Sequence, residues 1–447
     1  MDNDVISAIA TAQGNGAIGI VRMSGNGVLE LLGRIFTKHD FKSHKMYYGN
    51  IHSNGEIIDE VMVCPMLAPR SYTMEDTVEI YAHGGMEVLR SVLDVTLREG
   101  ARLAEPGEFT KRAFLNGRIN LTQAEAVMDI INAGSDAARR AGIKQLGGGL
   151  SNRVIALRDS ILSWIAHIEL SIDYPEHEEE AKTAAQILAE GGDVLAGMEA
   201  LYKTAAIGRI FRDGIKTAII GRPNAGKSTL LNAILSEERA LVHEQAGTTR
   251  DIVTERVVVG GVPLVLMDTA GIRETQDPVE KMGVEKTLEV ASDAELVLYV
   301  IDQSAKASSE DEEMLGRLKD KPVIVLMNKC DLVNKVSDQD GKPNHCHIST
   351  KTGYGLDKLY SLIHSIALGI NDTAAEPDII TRERHRVLLQ KAISHVRTAM
   401  KEIEQNVPED LVSVNLRGAY LSLGQILGIE VADDILDRIF SEFCVGK

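Results

Sequence analysis

Residues 221–228 read G-R-P-N-A-G-K-S, which matches the spacing G-x-x-x-x-G-K-S of a phosphate-binding loop. Glycine in such a loop lets the backbone approach an anion closely, and successive N–H groups point at that anion. Lys227 is expected to reach the β and γ phosphates of a nucleotide, and Ser228 to bind Mg²⁺. The alternative is a chance match in a glycine-rich turn, so the neighbouring segments must decide.

The segments on either side of this loop have the patterns of a strand and a helix. Residues 217–220 form a short apolar run, and residues 229–235 carry apolar side chains at helical spacing. A strand, a glycine turn and a helix direct N–H groups and the positive end of the helix dipole to one point. This context favours a polyphosphate site over a chance match.

Further motifs follow in the order expected of a guanine-nucleotide domain. Residues 268–271, D-T-A-G, follow an apolar run, where the aspartate contacts Mg²⁺ through water and the glycine N–H reaches the γ phosphate. Residues 328–331, N-K-C-D, follow another apolar run, and the Asp331 carboxylate can accept two hydrogen bonds from guanine that adenine does not offer. Residues 349–351, S-T-K, end a further predicted strand and could support the base.

Composition limits the possible classes of protein. The 447 residues suggest about three domains, and 48 Lys+Arg against 65 Asp+Glu give a formal charge of −17. This acidity argues against indiscriminate nucleic-acid binding but leaves room for a local basic groove for one particular RNA. The four cysteines have no C-x-x-C spacing and suggest neither a zinc site nor a disulfide framework. Without a signal sequence or a long apolar run, we expect a cytoplasmic protein with no membrane contact.

Helical periodicity flanks the nucleotide-binding part on both sides. Residues 1–118 have a mixed pattern of strands and helices, residues 119–213 and 370–447 are helical, and residues 214–369 hold the nucleotide motifs. Four consecutive units are one interpretation. We favour a single helical domain with the nucleotide domain inserted, because P-loop domains begin and end near the same sheet edge. The glycines at 147–149 predict a kink or a break within the first helical part.

Three stretches outside the phosphate loop match one family. Residues 106–117 read P-G-E-F-T-K-R-A-F-L-N-G, residues 123–126 read Q-A-E-A, and the chain ends F-C-V-G-K. With these marks the chain resembles the tRNA modification GTPase MnmE family, also called TrmE, over essentially its whole length. The resemblance implies a multidomain fold with α/β and all-α parts. It comprises an N-terminal α+β tetrahydrofolate-binding-like domain and a helical domain interrupted by an inserted Ras-like P-loop GTPase domain.

The resemblance also implies an activity and partners. The family hydrolyses GTP and, with an FAD-dependent partner called MnmG or GidA, installs an aminomethyl-type group (carboxymethylaminomethyl or aminomethyl). The target is carbon 5 of the wobble uridine of certain tRNAs. A 5,10-methylene- or 5-formyl-tetrahydrofolate supplies the one-carbon unit, and Mg²⁺ and K⁺ are the implied metals. The protein is implied to be a homodimer, formed through the N-terminal domains, that joins its partner in a heterotetramer or larger complex.

The hydrolytic machinery must depart from the Ras-like arrangement. Ile272 follows the D-T-A-G motif where Ras-like enzymes have a water-orienting glutamine, and isoleucine forms no side-chain hydrogen bond. A K⁺ ion near Asn224 could supply positive charge at the leaving phosphate. The resemblance makes Asn224 and Thr248 its side-chain ligands, with first-switch carbonyls near His243 and Gln245. It also gives Thr249 a Mg²⁺ contact.

Glu280 lies where the family's water-orienting glutamate is found, although a solvated switch-loop carboxylate is the alternative. The expected catalytic residues are therefore Glu280, Lys227 and Cys444. The expected GTP-binding residues, taken from all these motifs and the first switch, are Asn224, Ala225, Gly226, Lys227, Ser228, Thr229, His243, Glu244, Gln245, Ala246, Gly247, Thr248, Thr249, Asp268, Thr269, Ala270, Gly271, Asn328, Lys329, Asp331, Ser349, Thr350 and Lys351.

The resemblance also implies a folate site. Its pattern corresponds to Arg22, Glu79, Arg118 and Lys447, although a lysine is more usual at position 118 and arginine keeps the charge without the shape. Cys444 is the candidate reactive thiol, and a free cysteine on a frayed terminus is the alternative. A regulatory or ribosome-assembly GTPase, whose other domains only bind RNA or protein, is the competing function. The P-G-E-F-T-K segment and the F-C-V-G-K ending favour tRNA modification.

Overall fold

The structure is a computed structural model that describes residues 4–173, 184–237, 255–267, 282–305, 309–333, 343–368 and 378–447. Its chain forms two compact units. One comprises residues 1–128, 146–181 and 407–447, and the other comprises residues 129–145 and 182–406. We call them the N-terminal unit and the nucleotide unit. Strands and helices are numbered in chain order.

The N-terminal unit contains a six-stranded sheet in the order β3-β4-β5-β2-β1-β6. Its strands are antiparallel except for the β1–β6 pair. They are β1 (Ile6–Ile9), β2 (Ile18–Ser24), β3 (Tyr47–Ser53), β4 (Glu56–Met66), β5 (Thr77–His83) and β6 (Arg102–Leu103). Helices α1 (Val28–Ile35) and α2 (Met86–Arg98) contribute to the apolar core of one sheet face.

Alternation along the strands decides what each face of this sheet carries. Val21 and Ile80 are fully buried in the core shared with α1 and α2. Arg22 and Glu79 point to the opposite face, and the β2–β5 register places them directly across from each other. The sheet thereby presents polar side chains from its middle strands on the face away from α1 and α2.

Helices complete the N-terminal unit. They are α3 (Glu108–Leu115), α4 (Leu121–Ile131), α6 (Gly149–Asp173), α13 (Glu409–Leu427) and α14 (Asp433–Ser441). An apolar cluster joins α3, the start of α4 and the C-terminal segment, and it includes Ala113, Leu121, Phe440 and Phe443. The predicted glycine break is confirmed, because α5 (Asp136–Leu146) ends before Gly148, whose φ is 93°.

The nucleotide unit contains a second six-stranded sheet in the order β12-β11-β10-β7-β9-β8. Only the β8–β9 pair is antiparallel. Its strands are β7 (Ile215–Gly221), β8 (Glu255–Val259), β9 (Val262–Leu266), β10 (Leu296–Asp302), β11 (Val323–Asn328) and β12 (His345–His347). Its helices are α8 (Lys227–Glu237), α9 (Met282–Asp293), α10 (Ser309–Arg317) and α11 (Leu356–Leu368). Strand order reverses at β7, and ligands of such sheets bind at the carboxyl ends beside that point.

Two long helices, α7 (Ala184–Asp213) and α12 (Glu383–Glu404), pack along each other in the same unit. One residue, Gly214 with a φ of 80°, separates α7 from β7. Ile210 packs against the core of the sheet, and Arg209 forms an ion pair with Glu295 at 2.6 Å. The helix α7 is therefore anchored to the nucleotide-binding sheet.

The predicted elements around the motifs are confirmed. Strands cover the predicted apolar runs at 217–220 and 323–327, and a strand covers the run at 263–267 except for its last residue, Met267. Helices occur on both sides of the nucleotide motifs, while the division into four segments at 118, 213 and 369 stays a prediction. In the described ranges, no helix combines the length and apolar character that a membrane span requires.

Candidate functional sites

The phosphate-binding loop connects β7 to α8 as expected. Gly221 has a φ of 149°, and a Cβ atom there would lie 2.2 Å from the carbonyl oxygen of Val300. The Nζ atom of Lys227 donates to the carbonyl oxygens of Gly221 and Arg222, both at 2.8 Å. Burial lowers the pKa of Lys227. A partly desolvated ammonium inside a glycine turn suits a strongly charged anion such as a polyphosphate.

Asn328 joins three of the sequence motifs. Its side chain is buried at the end of β11, and its Nδ2 atom donates to the carbonyl oxygen of Ala225 at 2.8 Å. Its Oδ1 atom accepts from the backbone N–H of Thr350 at 3.2 Å. A Cβ atom at Gly226 would lie 2.2 Å from Nδ2, so the loop needs glycine where the amide crosses it. One amide thus holds the phosphate loop beside the loop that contains Thr350.

Lys329 reinforces the same contact. Its backbone lies in the left-handed region, with a φ of 62°, and its Nζ atom donates to the carbonyl oxygen of Asn224 at 2.8 Å. The same ammonium pairs with Asp302, at the end of β10, at 2.6 Å. Burial opposes ionisation of Asp302, but the hydrogen bonds from Lys329 and Ser304 outweigh it and lower the pKa of this carboxyl.

The contacts of Asn328 with Ala225 and Thr350 are called the Asn328 brace below. The residues proposed to contact the base lie around it. Asp331 is exposed in a short 3₁₀ turn, Cys330–Leu332. Ser349 is buried, and its backbone N–H donates to the carbonyl oxygen of Tyr354 at 2.9 Å, which closes the turn that holds Thr350 and Lys351. The loops after β11 and β12 therefore lie on the same side of the sheet as the phosphate loop.

Several predicted residues lie outside the described part of the chain. They belong to the first switch, the D-T-A-G motif and the loop after it, and their positions stay predictions. They are His243, Glu244, Gln245, Ala246, Gly247, Thr248, Thr249, Asp268, Thr269, Ala270, Gly271 and Glu280. Asn224 is described, exposed, and has a φ of 61°. Ser228 and Thr229 follow Lys227 in the first turn of α8.

A second cluster lies on the polar face of the N-terminal sheet. Arg22 contacts the Oε1 atom of Glu79 through Nε at 2.9 Å and through Nη2 at 2.8 Å. Its Nη1 atom donates to the carbonyl oxygen of Gly446 at 3.0 Å, and the Tyr81 hydroxyl donates to the Oε2 atom of Glu79 at 2.6 Å. Burial, together with the hydrogen bond to Glu79, raises the pKa of Tyr81 to about 12.

Aromatic rings flank this cluster. The Arg22 guanidinium lies 5.5 Å from the ring centroid of Tyr72 and 5.7 Å from that of Phe109. The Arg118 guanidinium lies 4.8 Å from the Tyr72 ring, within the range of cation–π attraction. Tyr72 therefore connects two of the predicted folate-binding residues, Arg22 and Arg118.

The C-terminal segment is held by the start of α3. The backbone N–H of Phe109 donates to the carbonyl oxygen of Lys447 at 3.0 Å, and that of Gly107 to Cys444 at 3.4 Å. Gly107 has a φ of 69°, and a Cβ atom there would lie 2.6 Å from the carbonyl oxygen of Phe440. The segment 106–117 and the F-C-V-G-K ending, separate in the sequence, thus form one structural feature.

Lys447 adds a third cation to the cluster, after Arg22 and Arg118. Burial lowers the pKa of Lys447, the Arg22 guanidinium lowers it further, and Glu79 and Cys444 oppose the shift. Burial, followed by the field of Glu79, raises the pKa of the Cys64 thiol. Cys444 is exposed, in contrast to the partly buried Cys64. Within the described residues, no group of three or more His, Cys, Asp and Glu is placed to hold a metal ion.

The structure adds residues that sequence reasoning missed. Tyr81 lies two positions after Glu79 on the same strand, so the period of two could have indicated its side. Gly446, within the C-terminal motif, contributes its carbonyl oxygen. Phe109 lies within the 106–117 segment that carries the resemblance, whereas no sequence signal marked Tyr72.

Comparison with known proteins covers the whole chain. A family model described as the MnmE helical domain matches residues 121–444, and one described as the GTP-binding protein TrmE N-terminus matches residues 5–118. A tRNA modification GTPase MnmE of Finegoldia magna is 45% identical, and one of Desulforamulus reducens is 43% identical, each alignment covering 100% of both chains. The solved G domain of the T. maritima FeoB iron transporter is 24% identical, covering 34% of this chain and 98% of that one, with a TM-score of 0.26.

These matches confirm the resemblance and the predicted fold class of an N-terminal TrmE domain, a helical domain and a P-loop GTPase domain. The phosphate loop and the Asn328 brace lie within the match at residues 121–444, and Arg22 and Glu79 of the N-terminal cluster lie within the match at residues 5–118. The chain therefore belongs to the MnmE family of tRNA modification GTPases.

Proposed function

We propose that the protein is a K⁺-stimulated GTPase that acts with an FAD-dependent partner of the MnmG (GidA) type. Together they install a carboxymethylaminomethyl or aminomethyl group at C5 of the wobble uridine of certain tRNAs. The observation that carries the proposal is the Asn328 side chain, which bonds both Ala225 in the phosphate loop and Thr350 in the base-side loop. This brace sets the distance between a phosphate-binding turn and a guanine-selective carboxylate, Asp331.

The hydrolytic step uses groups of this chain that fit a GTP–Mg²⁺ complex. Lys227 binds the β and γ phosphates, where its fixed charge stabilises the charge that develops on transfer. The Ser228 hydroxyl, at the start of α8, is an oxygen ligand of the kind that Mg²⁺ prefers. Thr249 and Asp268 would help to hold Mg²⁺, Asp268 through water, and Glu280 would orient the attacking water.

K⁺ takes the place that a positively charged side chain occupies in other GTPases. Asn224 is exposed at the outer edge of the phosphate loop, so its side-chain oxygen is available to a cation. Thr248 and the carbonyl oxygens of His243 and Gln245 complete the proposed ligand set. The ion, when bound, would supply positive charge beside the leaving phosphate. Ile272 cannot orient the attacking water, and Glu280 takes that separate role.

The N-terminal cluster binds a tetrahydrofolate derivative, in the 5,10-methylene or 5-formyl form. Folate combines a flat ring bearing hydrogen-bond donors with a negatively charged tail. Glu79 can accept hydrogen bonds from the ring, and Arg22, Arg118 and Lys447 provide positive charge. The rings of Tyr72 and Phe109 flank this charge and offer flat apolar surfaces. When bound, the folate supplies the one-carbon unit, and Cys444 is the nearby candidate nucleophile.

The proposed assembly is a homodimer formed through the N-terminal domains, residues 1–118, in the cytoplasm. Residues 119–213 and 370–447 form the helical domain, and residues 214–369 form the inserted G domain. The homodimer associates with its FAD-dependent partner in a heterotetramer or larger complex and acts on tRNA. The family's name for its reaction supports the tRNA substrate.

Deletion of the gene followed by mass analysis of tRNA nucleosides tests this function. The modified wobble uridine should disappear, return with the unchanged gene, and fail to return with Lys227→Ala. Normal nucleosides in the deletion strain would favour the regulatory or ribosome-assembly alternative.

The cation is tested separately by GTP turnover in KCl and NaCl at matched ionic strength. K⁺ should stimulate turnover and Na⁺ should not, and Asn224→Ala should remove the difference while GTP binding persists. Equal rates of the unchanged protein in the two salts would exclude the K⁺ mechanism.

A further inference from the structure

Helix α12 and the residue before it carry a concentration of positive charge that contrasts with the rest of the chain. Residues 382–404 contain six lysines and arginines and three acidic residues, Glu383, Glu402 and Glu404, whereas the whole chain has 48 Lys+Arg against 65 Asp+Glu. Clustered cations along one helix are the electrostatic footprint of a surface that binds a polyanion. Neither the nucleotide site nor the N-terminal cluster uses these residues.

Two of these cations have a structural role. Arg382 donates to the buried carboxylate of Asp129 at 2.6 Å, and Arg386 pairs with Glu383 at 2.5 Å. Arg386 also donates to the Tyr202 hydroxyl at 2.6 Å, which joins α12 to α7. These cations secure the beginning of α12 and are not available to a partner.

Arg384 contacts His385 at 3.0 Å, and the other three cations lie further along the helix and face solvent. Lys391 and Lys401 are exposed, and neither forms an ion pair with any residue that the structure describes. The side chain of Arg397 is 60% exposed and pairs with Glu199, itself 37% exposed, at 2.6 Å. An exposed pair of this kind contributes at most about 1 kcal/mol to stability, so a phosphate can replace the carboxylate at little cost.

These side chains follow one side of the helix. Positions 391, 394, 397, 398 and 401 recur at intervals of three and four residues, and the rise of an α-helix spreads them over ~15 Å. A groove of about 470 Å³ runs along this side, and its described lining consists of Gln390, Ile393, Ser394, Arg397, Thr398 and Lys401. Amide and hydroxyl groups therefore alternate with the cations, as they do where proteins contact nucleic-acid backbones.

We propose that this surface, the α12 basic face (Lys391, Ser394, Arg397, Thr398 and Lys401), binds the sugar–phosphate backbone of the tRNA substrate. The inference rests on the proposed function, which supplies that RNA. Every exposed residue between positions 390 and 401 is polar or charged. A protein–protein interface usually has an exposed apolar or aromatic centre. The apolar residue of the described groove lining, Ile393, is only 6% exposed, so RNA is favoured over an acidic protein.

Titration of tRNA binding against salt tests the assignment. A tRNA transcript is bound to the full-length protein over a series of salt concentrations, and the variant Lys391→Gln/Arg397→Gln/Lys401→Gln is compared with the unchanged protein. Loss of three phosphate contacts should reduce the slope of log K against log salt by about 2–3 and the affinity at least about tenfold at low salt. GTP turnover should not change, because these residues lie outside the phosphate loop and its brace.

The matched control is Lys38→Gln/Lys42→Gln/Lys45→Gln, which removes the same charge from three exposed lysines of the N-terminal unit. This control should keep the slope of the unchanged protein. An equal loss in both variants would mean that net charge alone matters and would overturn the assignment, as would an unchanged slope in the α12 variant. Loss of a protein partner's binding with an unchanged tRNA slope would also overturn it, in favour of protein docking.

The inference about the α12 basic face can fail while the proposed function remains correct. If the unchanged protein binds tRNA and the gene deletion removes the modified nucleoside, an unaffected α12 variant overturns only the assignment of this face. If the deletion leaves tRNA nucleosides normal, the proposed function fails, and the inference fails with it.

Discussion

In the nucleotide unit, the candidate site lies where the parallel strands β7, β10 and β11 end, whereas the N-terminal cluster lies across the middle of an antiparallel sheet. The first site uses short contiguous motifs, and much of its binding surface is backbone N–H. The second uses side chains from positions 22, 79 and 81 and a carbonyl oxygen from position 446. A site at strand ends can be recognised from local sequence, but a site on a sheet face depends on the tertiary fold.

The first prediction concerns base recognition and has the largest expected effect. Asp331→Asn should weaken GTP binding about 100-fold or more, because two hydrogen bonds to a charged carboxylate are lost and the amide opposes one guanine donor with its own. Preference should shift toward xanthosine triphosphate. Calorimetry with both nucleotides measures the shift.

The matched control for that variant is Asp302→Asn, a nearby carboxylate that pairs with Lys329. This variant should weaken GTP binding without changing the preference for GTP over xanthosine triphosphate. If both variants keep the preference for guanine, Asp331 does not contact the base. The nucleotide site would then be less recognisable from its local motifs, and its contrast with the N-terminal cluster would be weaker.

The second prediction separates the two sites. Arg22→Ala should weaken binding of 5-formyltetrahydrofolate at least about tenfold, because Glu79 loses its two-point contact and the Gly446 carbonyl loses its donor. GTP affinity should stay the same. Arg22→Lys keeps the charge without the forked geometry and should give an intermediate loss. Undisturbed folate binding in both variants would remove Arg22 from the site.

The third prediction concerns how the C-terminal segment is held. Gly107→Ala should lower the free energy of unfolding by about 1–3 kcal/mol. Alanine is strained in the left-handed backbone conformation of this position, and its Cβ atom would clash with the carbonyl oxygen of Phe440. Gly117→Ala is the control, because its φ of 76° is similar and a Cβ atom there meets nothing within 4 Å. Denaturant titration should give the larger loss for Gly107→Ala. Equal losses would show that close packing against the C-terminal segment contributes nothing.

The fourth prediction is the smallest effect and concerns protonation. The raised pKa of Tyr81, about 12, means that the folded state favours the neutral phenol. Its stabilising contribution is complete below the unfolded pKa of about 10 and is lost as the pH rises from there toward 12. NMR of ¹³Cζ-labelled tyrosine should show a resonance that titrates near 12 and disappears in Tyr81→Phe. A normal titration of this resonance would contradict the hydrogen bond to Glu79.

The strands and helices around the nucleotide motifs were predictable because their signals are local. Hydrophobic runs marked the strands before positions 221 and 328, and helical spacing at residues 229–235 marked the helix after the phosphate loop. The motif spacing also identified Lys227 and Asn328 as site residues. The role of Asn328 as a brace to Ala225 was not predictable, because it depends on the separation of two loops that are far apart in the sequence.

The N-terminal cluster was predictable only through the resemblance. Arg22, Glu79 and Lys447 have no common sequence motif, and their proximity results from strand register and from the docking of the C-terminal segment on α3. The contribution of Tyr72 could not be inferred, since it follows β4 in a segment without periodicity. Sequence patterns and residue propensities therefore cannot predict side-chain contacts between segments that are far apart in the chain.

The direct connection of α7 to β7 has a mechanical consequence. With Gly214 as the only residue between them and Ile210 fixed in the core, the helix has little freedom to bend at that end. Its 30 residues extend over ~45 Å. If α7 moves rigidly with the nucleotide-binding sheet, a tilt of the sheet by about 5° moves the far end of this ~45 Å helix by ~4 Å. Small rearrangements at the phosphate loop can in this way become displacements as large as a side chain at a distant point.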